Sequence, residues 1–354
     1  MVKKKISLRG KAIFMKALVL EEYGKFEYKE VPAPVIKHGY VMIKVMACAV
    51  CGSDVHGMDG STGRRQPPII MGHEAAGVIC EIGEGVTGFQ INDRVTFDST
   101  IFCDECVYCK NGKTNLCDNR RVLGVSCDEF RIDGAFAEYV LVPAHVLYKL
   151  PDSVTFVQAS MIEPLSVAYH AVELSRLGHD RIKTATAVVI GCGTIGLFIA
   201  QLLRVKGYAS VVVSDIVEER LKLAEDLGFS SRCEMVGELT SRLGADISFD
   251  AVGTDGSVAN ALKVLRKGGE CVLVGNISPN VSLPLQHVVT NELTLLGSCV
   301  SAGEYSECLD LIASGKVETD KLISKVVPLS EGNEWIRRVY NKERGLYKIV
   351  LVME

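Results

Sequence analysis

The chain of 354 residues is 48% hydrophobic and 23% charged, which suffices for two globular domains with buried cores and excludes intrinsic disorder. Its 39 basic and 43 acidic side chains give a formal net charge of −4. Because no basic surplus exists to neutralise phosphates, we expect no nucleic-acid partner.

The first 14 residues contain three consecutive lysines, Lys3 to Lys5, without the apolar core that a signal peptide needs. Lys11 and Lys16 interrupt the residues that follow, and the chain has no run of about 18 uncharged apolar residues. We therefore predict that residues 1–14 are an N-terminal extension without an assigned function. We also expect no membrane-spanning segment and a cytoplasmic protein.

Residues 15–150 have the pattern of an all-β region. Short alternating or β-branched runs are separated by glycine, proline, aspartate and asparagine, which are typical of turns. The predicted strands are residues 16–20, 41–45, 76–81, 94–97 and 136–142.

The pattern changes after about residue 165, where apolar strands alternate with amphipathic helices. Such alternation predicts βαβ units and an open, doubly wound parallel sheet, an α/β fold. The predicted strands are residues 185–191, 211–214, 246–251, 270–275 and 293–298, and the predicted helices are 194–206, 217–227 and 256–265. Two further helices, 304–314 and 331–340, and a closing strand, 347–352, are expected to return to the first domain.

A glycine motif, Gly191-Cys-Gly-Thr-Ile-Gly196, follows the most apolar strand and opens a helix. In a dinucleotide-binding βαβ unit the first glycine allows a tight turn, the second lets a pyrophosphate approach the backbone, and the third lets the helix pack on the sheet. The candidate cofactor-binding residues are Gly191, Gly193, Thr194, Ile195 and Gly196.

Asp215 ends the next strand, 19 residues after Gly196. A carboxylate there can accept hydrogen bonds from both hydroxyls of an adenosine ribose and repel a 2′-phosphate, so we predict NAD rather than NADP. Two alternatives stay open. Asp215 can instead cap the following helix, and Arg220 can serve a phosphate.

Four of the 13 cysteines, Cys103, Cys106, Cys109 and Cys117, lie within fifteen residues. Four thiolates fill the tetrahedral coordination of zinc, so this spacing predicts a closed, structural site. An iron–sulfur cluster is an alternative, but its fourth cysteine usually follows after three residues and precedes a proline. Here the gap is seven residues and Asp118 follows. Mixed charges in this segment argue against a nucleic-acid-binding zinc ribbon.

A second, dispersed set of residues has the chemistry of a catalytic zinc site, which needs a few protein ligands and one open position. Its candidates are Cys51, His73, Glu74 and Glu163. The run 69–78 is apolar, so an adjacent histidine and glutamate are costly to bury there unless they have a partner. Each residue also has an ordinary structural explanation, and spacing alone does not show that the four meet.

Taken together, Cys51-Gly-Ser-Asp54, Gly72-His-Glu74, the four cysteines and the late glycine motif resemble the zinc-dependent medium-chain dehydrogenases. The resemblance covers residues 15–354. It implies a GroES-like β-barrel catalytic domain (residues 15–166 and 300–354) with a structural zinc lobe (residues 100–118), and a Rossmann domain (residues 167–299). Glu163-Pro-Leu-Ser166 is similar to the polyol and threonine dehydrogenase branch, whose sorbitol and galactitol-phosphate enzymes are examples.

The resemblance also implies roles for single residues. Ser53 would contact the substrate oxygen, His56 would receive the proton, and Asp54 would orient the zinc-binding histidine, although Asp54 can also cap a helix. Zinc with one thiolate, one neutral imidazole and one carboxylate is neutral overall. We therefore expect Glu74 and Glu163 not to be equally tight ligands while substrate is bound.

These expectations combine into an NAD-dependent enzyme with two zinc ions per chain that oxidises a secondary alcohol of a polyol or sugar alcohol. Threonine-type 3-hydroxy amino acid oxidation is an alternative, and a non-catalytic dinucleotide sensor is an alternative of another class. We expect a homodimer or homotetramer. The substrate pocket is assigned to loops 56–66, 120–135 and 297–304, in which Arg64, Arg65, Arg120 and Arg121 are candidates for contacting a phosphate or carboxylate, or are simply surface residues.

Overall fold

The computed structural model describes residues 14–232 and 244–353. The predicted N-terminal extension lies outside these residues except for Phe14, which is the first residue of a strand. No helix in the described part of the chain is long and apolar enough to cross a membrane.

The described chain begins with short strands and continues with alternating strands and helices. The strands are β1 (Phe14–Glu22), β2 (Lys25–Pro32), β3 (Tyr40–Ala49), β4 (Ile69–Ile70), β5 (Glu74–Ile82), β6 (Arg94–Phe97), β7 (Thr100–Ile101), β8 (Arg121–Val122), β9 (Val125–Ser126), β10 (Arg131–Ile132), β11 (Tyr139–Pro143), β12 (Leu147–Lys149), β13 (Thr186–Ile190), β14 (Ser210–Ser214), β15 (Ser230–Arg232), β16 (Ala245–Asp250), β17 (Leu265–Leu273), β18 (Thr294–Gly297), β19 (Lys325–Pro328) and β20 (Ile349–Val352). The helices are α1 (Gly52–Gly57), α2 (Val107–Lys110), α3 (Phe156–Ala159), α4 (Ile162–Glu173), α5 (His179–Ile182), α6 (Thr194–Lys206), α7 (Glu218–Asp226), α8 (Asp255–Lys263), α9 (Leu285–Thr290), α10 (Tyr305–Ala313) and α11 (Gly332–Tyr340).

A parallel sheet organises the second half of the fold. Within the described residues, six strands pair in the order β15-β14-β13-β16-β17-β18, and every pairing is parallel. The central strand β13 faces two cores, because Val189 belongs to the same buried cluster as Phe198 of α6, whereas Val188 belongs to that of Leu262 of α8. Burial on both faces explains why this strand is continuously apolar. The predicted doubly wound sheet is confirmed.

A second sheet organises the N-terminal half. Seven described strands form it, in the order β12-β6-β5-β3-β20-β19 with β11 also paired to β3. The last strand of the chain lies beside β3, with Val350 opposite Ala49. The C-terminal segment therefore completes the sheet that the N-terminal region begins. The exact domain limits at residues 166 and 300 stay a prediction, and helix α4 runs across the first of them.

The predicted strand 136–142 starts later in the structure, because β11 begins only at Tyr139. Instead, the backbone N–H groups of Gly134, Ala135 and Phe136 donate to the carbonyls of residues 70, 72 and 71, at 2.7, 2.8 and 2.9 Å. These hydrogen bonds fasten the segment that directly precedes His73. The departure from regular pairing therefore positions a predicted metal ligand.

Candidate metal centre and cofactor site

Cys51 and Asp54 form a reciprocal cap at the start of α1. The Cys51 sulfur accepts from the backbone N–H of Ser53 at 3.5 Å, and a carboxylate oxygen of Asp54 accepts from the Cys51 N–H at 3.2 Å. The other oxygen, Oδ1, lies 3.4 Å from Nδ1 of His73. The two alternative roles of Asp54, helix cap and partner of the histidine, are therefore both present.

His73 and Glu74 are brought to the same place by the turn that leads into β5. Gly72 has φ +92°, and a Cβ atom there would lie 2.5 Å from Cδ1 of Phe136. Only glycine satisfies both conditions, which explains the first residue of the Gly-His-Glu motif. His73 and Glu74 are 5% and 1% exposed, so the turn delivers both side chains to the interior.

Cys51, His73 and Glu74 each offer one donor atom, and these three atoms lie within 4.8 Å of one another. Zinc bonds to thiolate, imidazole and carboxylate are about 2.0–2.3 Å long, so donors around one ion are separated by at most about 4.6 Å. The bound of 4.8 Å on the donor spacing is close to this limit, and thiolate, imidazole and carboxylate are donors that zinc takes, so the three residues fit a single zinc ion. The three residues that the sequence separates into two motifs share one centre.

The electrostatics of this centre favour positive charge. Burial disfavours ionised Asp54, but His73 and Arg65 lower the pKa of its carboxyl to about 2. Burial likewise opposes protonation of His73, but Asp54 and Cys51 raise the pKa of the imidazole well above its usual range. An environment that stabilises a proton on the ring in this way also stabilises a bound cation.

Glu163 lies in the first turn of α4, near the three donors but not among them. Burial and the neighbouring Glu74 carboxylate raise the pKa of Glu163 to about 7. The two carboxyl groups are therefore not equivalent in position. Whether Glu163 also ligates zinc stays a prediction.

Lys348 is a member of this site that the sequence analysis missed. It precedes β20, and its ammonium group forms an ion pair with the Glu74 carboxylate. It is 4% exposed. The one available signal was a lysine inside an otherwise apolar predicted strand, and such a lysine usually points to solvent.

Ser53 and His56 lie three residues apart on α1, and both are exposed. Residues with this spacing share a helix face, so their side chains point into the same space. The Ser53 hydroxyl oxygen accepts a hydrogen bond from Arg65 at 3.2 Å. The Ser53 backbone N–H lies 3.5 Å from the Cys51 sulfur, so this hydroxyl belongs to a residue beside the metal centre, and the His56 imidazole is exposed on the same helix.

Two of the arginines named as phosphate or carboxylate candidates are already engaged. Arg65 is 4% exposed and bonds to Ser53 and Asp54, so it is neither a free anion ligand nor a surface residue. Arg120 donates to the carbonyl of Asn115 at 2.8 Å and contacts the Cys299 sulfur at 3.1 Å. The expectation fails for Arg65 because a nearby buried carboxylate binds its guanidinium.

The four-cysteine lobe is compact. The sulfurs of Cys103, Cys106, Cys109 and Cys117 lie within 4.8 Å of one another. Backbone N–H groups of Glu105 and Cys106 lower the pKa of the Cys103 thiol to about 6, which favours the thiolate that a metal needs. Burial raises the pKa of Cys109 and Cys117 instead, but the number, type and spacing of the four sulfur donors fit a closed tetrahedral zinc site.

Each glycine of the motif has the local geometry that the sequence analysis expected. Gly191 has φ +99°, which serves the tight turn. A Cβ on Gly193 would meet no atom within 4 Å, so this position is open to a ligand. A Cβ on Gly196 would lie 1.8 Å from the Gly191 carbonyl, so the third glycine permits close packing. Thr194 begins α6 and Ile195 follows, both only partly buried.

Asp215 is tied to the glycine loop. One carboxylate oxygen accepts from the Cys192 N–H at 2.7 Å, and the other accepts from the Val217 N–H at 2.9 Å. Arg220 lies 3.6 Å from the same carboxylate. The helix that follows has Val217 rather than Asp215 as its N-cap. Asp215 therefore joins the loop to the end of β14, beside the open face of Gly193.

Comparison with known proteins places these sites in context. Residues 37–152 match the family model described as alcohol dehydrogenase GroES-like domain, and residues 194–314 match the model described as zinc-binding dehydrogenase. D-xylulose reductase A from Aspergillus oryzae is 32% identical over 340 residues, 91% of this chain and 93% of that protein. Sorbitol dehydrogenase from Bacillus subtilis is 29% identical over 349 residues, 95% and 97% of the two chains. A protein from Sinorhizobium meliloti, solved as a zinc-binding dehydrogenase bound to NADP, matches with a TM-score of 0.86 and 30% identity and covers 96% of this chain and 99% of its own.

Proposed function

Since the chain belongs to the zinc-dependent medium-chain dehydrogenases, with a GroES-like and a Rossmann domain, we propose that it oxidises a secondary hydroxyl of a polyol or sugar alcohol with NAD. The observation that carries the proposal is the convergence of Cys51, His73 and Glu74 on one centre. A purely structural or sensory protein has no need of such a mixed donor set beside a dinucleotide fold. Relatives named for sorbitol and D-xylulose support the polyol class.

Cys51, His73 and Glu74 would hold the catalytic zinc, with Glu163 as a further candidate. When bound, zinc supplies Lewis-acid polarisation of the substrate hydroxyl, and NAD supplies the hydride acceptor. Asp54 Oδ1 lies 3.4 Å from Nδ1 of His73 without a formed hydrogen bond, and it would orient the ring when the other nitrogen holds zinc. Cys103, Cys106, Cys109 and Cys117 would hold the structural zinc.

The proton released on oxidation must leave the cleft. We propose that Ser53 accepts it from the substrate hydroxyl and that His56, on the same exposed face of α1, delivers it to solvent. A histidine is suited to this step because one ring nitrogen can accept a proton while the other donates one. The backbone at Gly193 and Thr194 and the carboxylate of Asp215 would bind NAD.

NAD rather than NADP is proposed because Asp215 directly follows β14, where dinucleotide-binding folds carry the acidic residue for the ribose hydroxyls, and a carboxylate there would repel a 2′-phosphate. Arg220 lies 3.6 Å from that carboxylate, and its half-exposed guanidinium stays accessible to a phosphate. The solved Sinorhizobium meliloti relative holds NADP. The choice between the two cofactors therefore calls for a direct test.

We further propose a homodimer that forms through the edge of the parallel sheet. Strand β18 is the last strand on that side of the described sheet. Ile277, Leu285 and Val289 lie near it in sequence, and each is more than three-fifths exposed. An edge strand beside exposed apolar side chains favours pairing with a second copy of the chain.

The proposal is tested by measuring NADH or NADPH formation with a panel of polyols, polyol phosphates, simple alcohols and threonine. We expect turnover of polyols with NAD, two zinc ions per chain, and loss of turnover in Cys51→Ser but not in Cys80→Ser, a cysteine of β5 outside the pocket loops and both metal sites. Oxidation of threonine in preference to every polyol would contradict the proposed substrate class. Binding of NADH with no turnover and one zinc per chain would identify a sensor instead.

A further inference from the structure

Arg65 is a buried guanidinium that joins the proposed proton relay to the metal centre. Its Nη2 atom lies 3.2 Å from the Ser53 hydroxyl oxygen and 3.3 Å from Oδ1 of Asp54. Its Nη1 atom donates to the carbonyl of Arg64 at 3.0 Å. The same Asp54 oxygen lies 3.4 Å from the His73 ring. One cation therefore contacts the hydroxyl of the relay and the carboxylate that orients a metal ligand.

The direction of these hydrogen bonds follows from chemistry. Arginine has only donors, so the Ser53 oxygen must act as acceptor toward Arg65. A serine hydroxyl has one hydrogen and two lone pairs, and Arg65 occupies one lone pair. The other lone pair remains for the substrate hydroxyl, and the serine hydrogen remains for the next member of the relay. Arg65 thus leaves Ser53 able to accept one proton and donate another.

The fold accommodates the Arg65 side chain next to a glycine, but its burial leaves one donor atom without a partner among the described residues. A Cβ on Gly57 would lie 2.5 Å from Cγ of Arg65, so the glycine at the end of α1 permits the arginine to enter. The backbone on either side is held by Ser126, which donates to Arg64 at 3.2 Å and accepts from Gln66 at 3.0 Å. The buried Nε atom has no hydrogen-bond partner in the described structure. Such an orphan donor is destabilising, so stability alone is a weak reason for Arg65.

We propose that Arg65 is a positioning residue for the oxidation, because its forked guanidinium holds the Ser53 hydroxyl in register with Asp54 and so with His73. The inference rests on the relay role proposed for Ser53. The competing explanation is that Arg65 only neutralises the buried Asp54 charge. A lysine would meet that need, because one ammonium suffices for charge, whereas only the planar guanidinium can anchor Nη1 on the Arg64 carbonyl while Nη2 bonds both Ser53 and Asp54.

Four variants separate the explanations. Arg65→Met removes the cation, Arg65→Lys keeps the charge, and Gly57→Ala pushes the arginine from its place without removing it. Arg344→Met is the matched control, because that arginine side chain is 92% exposed and lies outside the relay and the pocket loops. We expect Arg65→Met to lower kcat by about 10- to 100-fold, with the KM of the polyol changed far less. Arg65→Lys should restore the unfolding temperature but not kcat, Gly57→Ala should resemble Arg65→Met in kcat, and Arg344→Met should resemble the unmodified protein.

A double-mutant cycle with Ser53→Ala tests whether Arg65 acts through the hydroxyl. In the Ser53→Ala background, Arg65→Met should lower kcat by less than about twofold. An equal loss in both backgrounds, or full recovery of kcat in Arg65→Lys, would overturn the proposal. Zinc content per chain is measured for each variant, and a loss confined to variants that lose zinc would also overturn it.

One readout does not depend on the substrate. High-resolution crystal structures of Arg65→Met and Arg65→Lys with zinc and NADH should show the Ser53 hydroxyl in another rotamer. An unchanged Ser53 rotamer would contradict the positioning role of Arg65, even if the enzyme oxidises polyols. If no polyol or other alcohol is oxidised, the proposed function fails, while the rotamer comparison still decides whether Arg65 positions Ser53.

Discussion

The Lys348 ammonium is ion-paired with the Glu74 carboxylate, although the two residues come from opposite ends of the chain. Burial opposes the charged lysine, but Glu74 and Cys51 raise the pKa of Lys348 above its usual value. The lysine therefore stays protonated and offsets one negative charge of the metal centre. With Lys348 included, zinc, one thiolate and the carboxylates of Glu74 and Glu163 sum to zero. The charge argument against two carboxylate ligands, made from the sequence, omitted this cation.

Replacing Lys348 with methionine is expected to destabilise the zinc-depleted protein. The Glu74 carboxylate would stay buried without its cation, a change that typically costs about 3–5 kcal/mol. The free energy of unfolding, measured with denaturant, checks this. Lys325→Met on the neighbouring strand β19 is the control, because Lys325 is exposed. The double variant with Glu74→Gln should recover part of the loss, and no recovery would show that the pair is not the cause.

The stability of the protein should depend on pH through Asp98, a residue that is 2% exposed. Burial, followed in the same direction by the charge of Glu304, raises the pKa of Asp98 to about 7. The folded state therefore binds a proton that the unfolded state releases at about pH 4, and stability falls as pH rises from about 4 to 7.

Asp98→Asn keeps an acceptor for the Thr100 N–H, which donates to the carboxylate at 2.8 Å, but it cannot ionise. We expect this variant to raise the unfolding temperature by several degrees at about pH 8, and by less at about pH 5. Thermal unfolding at both pH values measures the difference. Asp180→Asn, on a fully exposed side chain, should shift neither value. An equal shift of Asp98→Asn at both pH values would mean that ionisation is not responsible.

Asp215→Asn should reduce discrimination against NADP. The substitution removes the negative charge expected to repel a 2′-phosphate, while one side-chain oxygen can still accept from Cys192 or Val217. We expect kcat/KM for NAD to fall by about tenfold and the preference for NAD over NADP to shrink by more than that. Steady-state kinetics with both cofactors measure this. Asp226→Asn, farther along α7 and exposed, serves as control, and an unchanged preference in Asp215→Asn would contradict the assignment.

Cys106→Ser should remove one of the two zinc ions and leave the catalytic one. Three remaining sulfurs no longer complete the tetrahedron, and the lobe loses its cross-link. We expect zinc to drop from two to one per chain and the unfolding temperature to fall by roughly 5–10 °C. Metal analysis and thermal unfolding measure both. Cys127→Ser, outside the lobe, should retain two zinc ions, and iron in place of zinc would support the cluster alternative.

Val289→Asp should disrupt the proposed dimer. The substitution places a carboxylate in an exposed apolar surface that would be buried between two copies of the chain. We expect the molar mass in sedimentation to fall to that of one chain, with the unfolding temperature nearly unchanged at low concentration. Val35 is also an exposed valine, at 77%, but it is distant in sequence from the surface around Val289. The control variant Val35→Asp should therefore leave the mass unchanged. A dimer that survives Val289→Asp would place the interface elsewhere.

Local patterns were sufficient for the architecture. Mostly apolar runs predicted five of the six described strands of the parallel sheet, all except β15, because a strand covered on both faces has few polar side chains. The glycine motif could also be interpreted from the sequence, because Gly191 and Gly196 are required by the backbone conformation and close contacts of a single turn. Helix α6 begins at Thr194 and ends at Lys206, as its sequence predicts, because its start and its glycine stop are local. Cys103, Cys106, Cys109 and Cys117 could be grouped because one short loop carries them.

What the sequence determined by itself was therefore the fold class, the family resemblance and the types of donor at each metal centre. Only the tertiary structure decided which charges meet: Lys348 with Glu74, and Arg65 with Ser53 and Asp54. A charged side chain has the same local pattern whether it faces water or a buried partner. The partner that makes its burial tolerable comes from a distant strand or loop, and neither spacing nor periodicity records that contact.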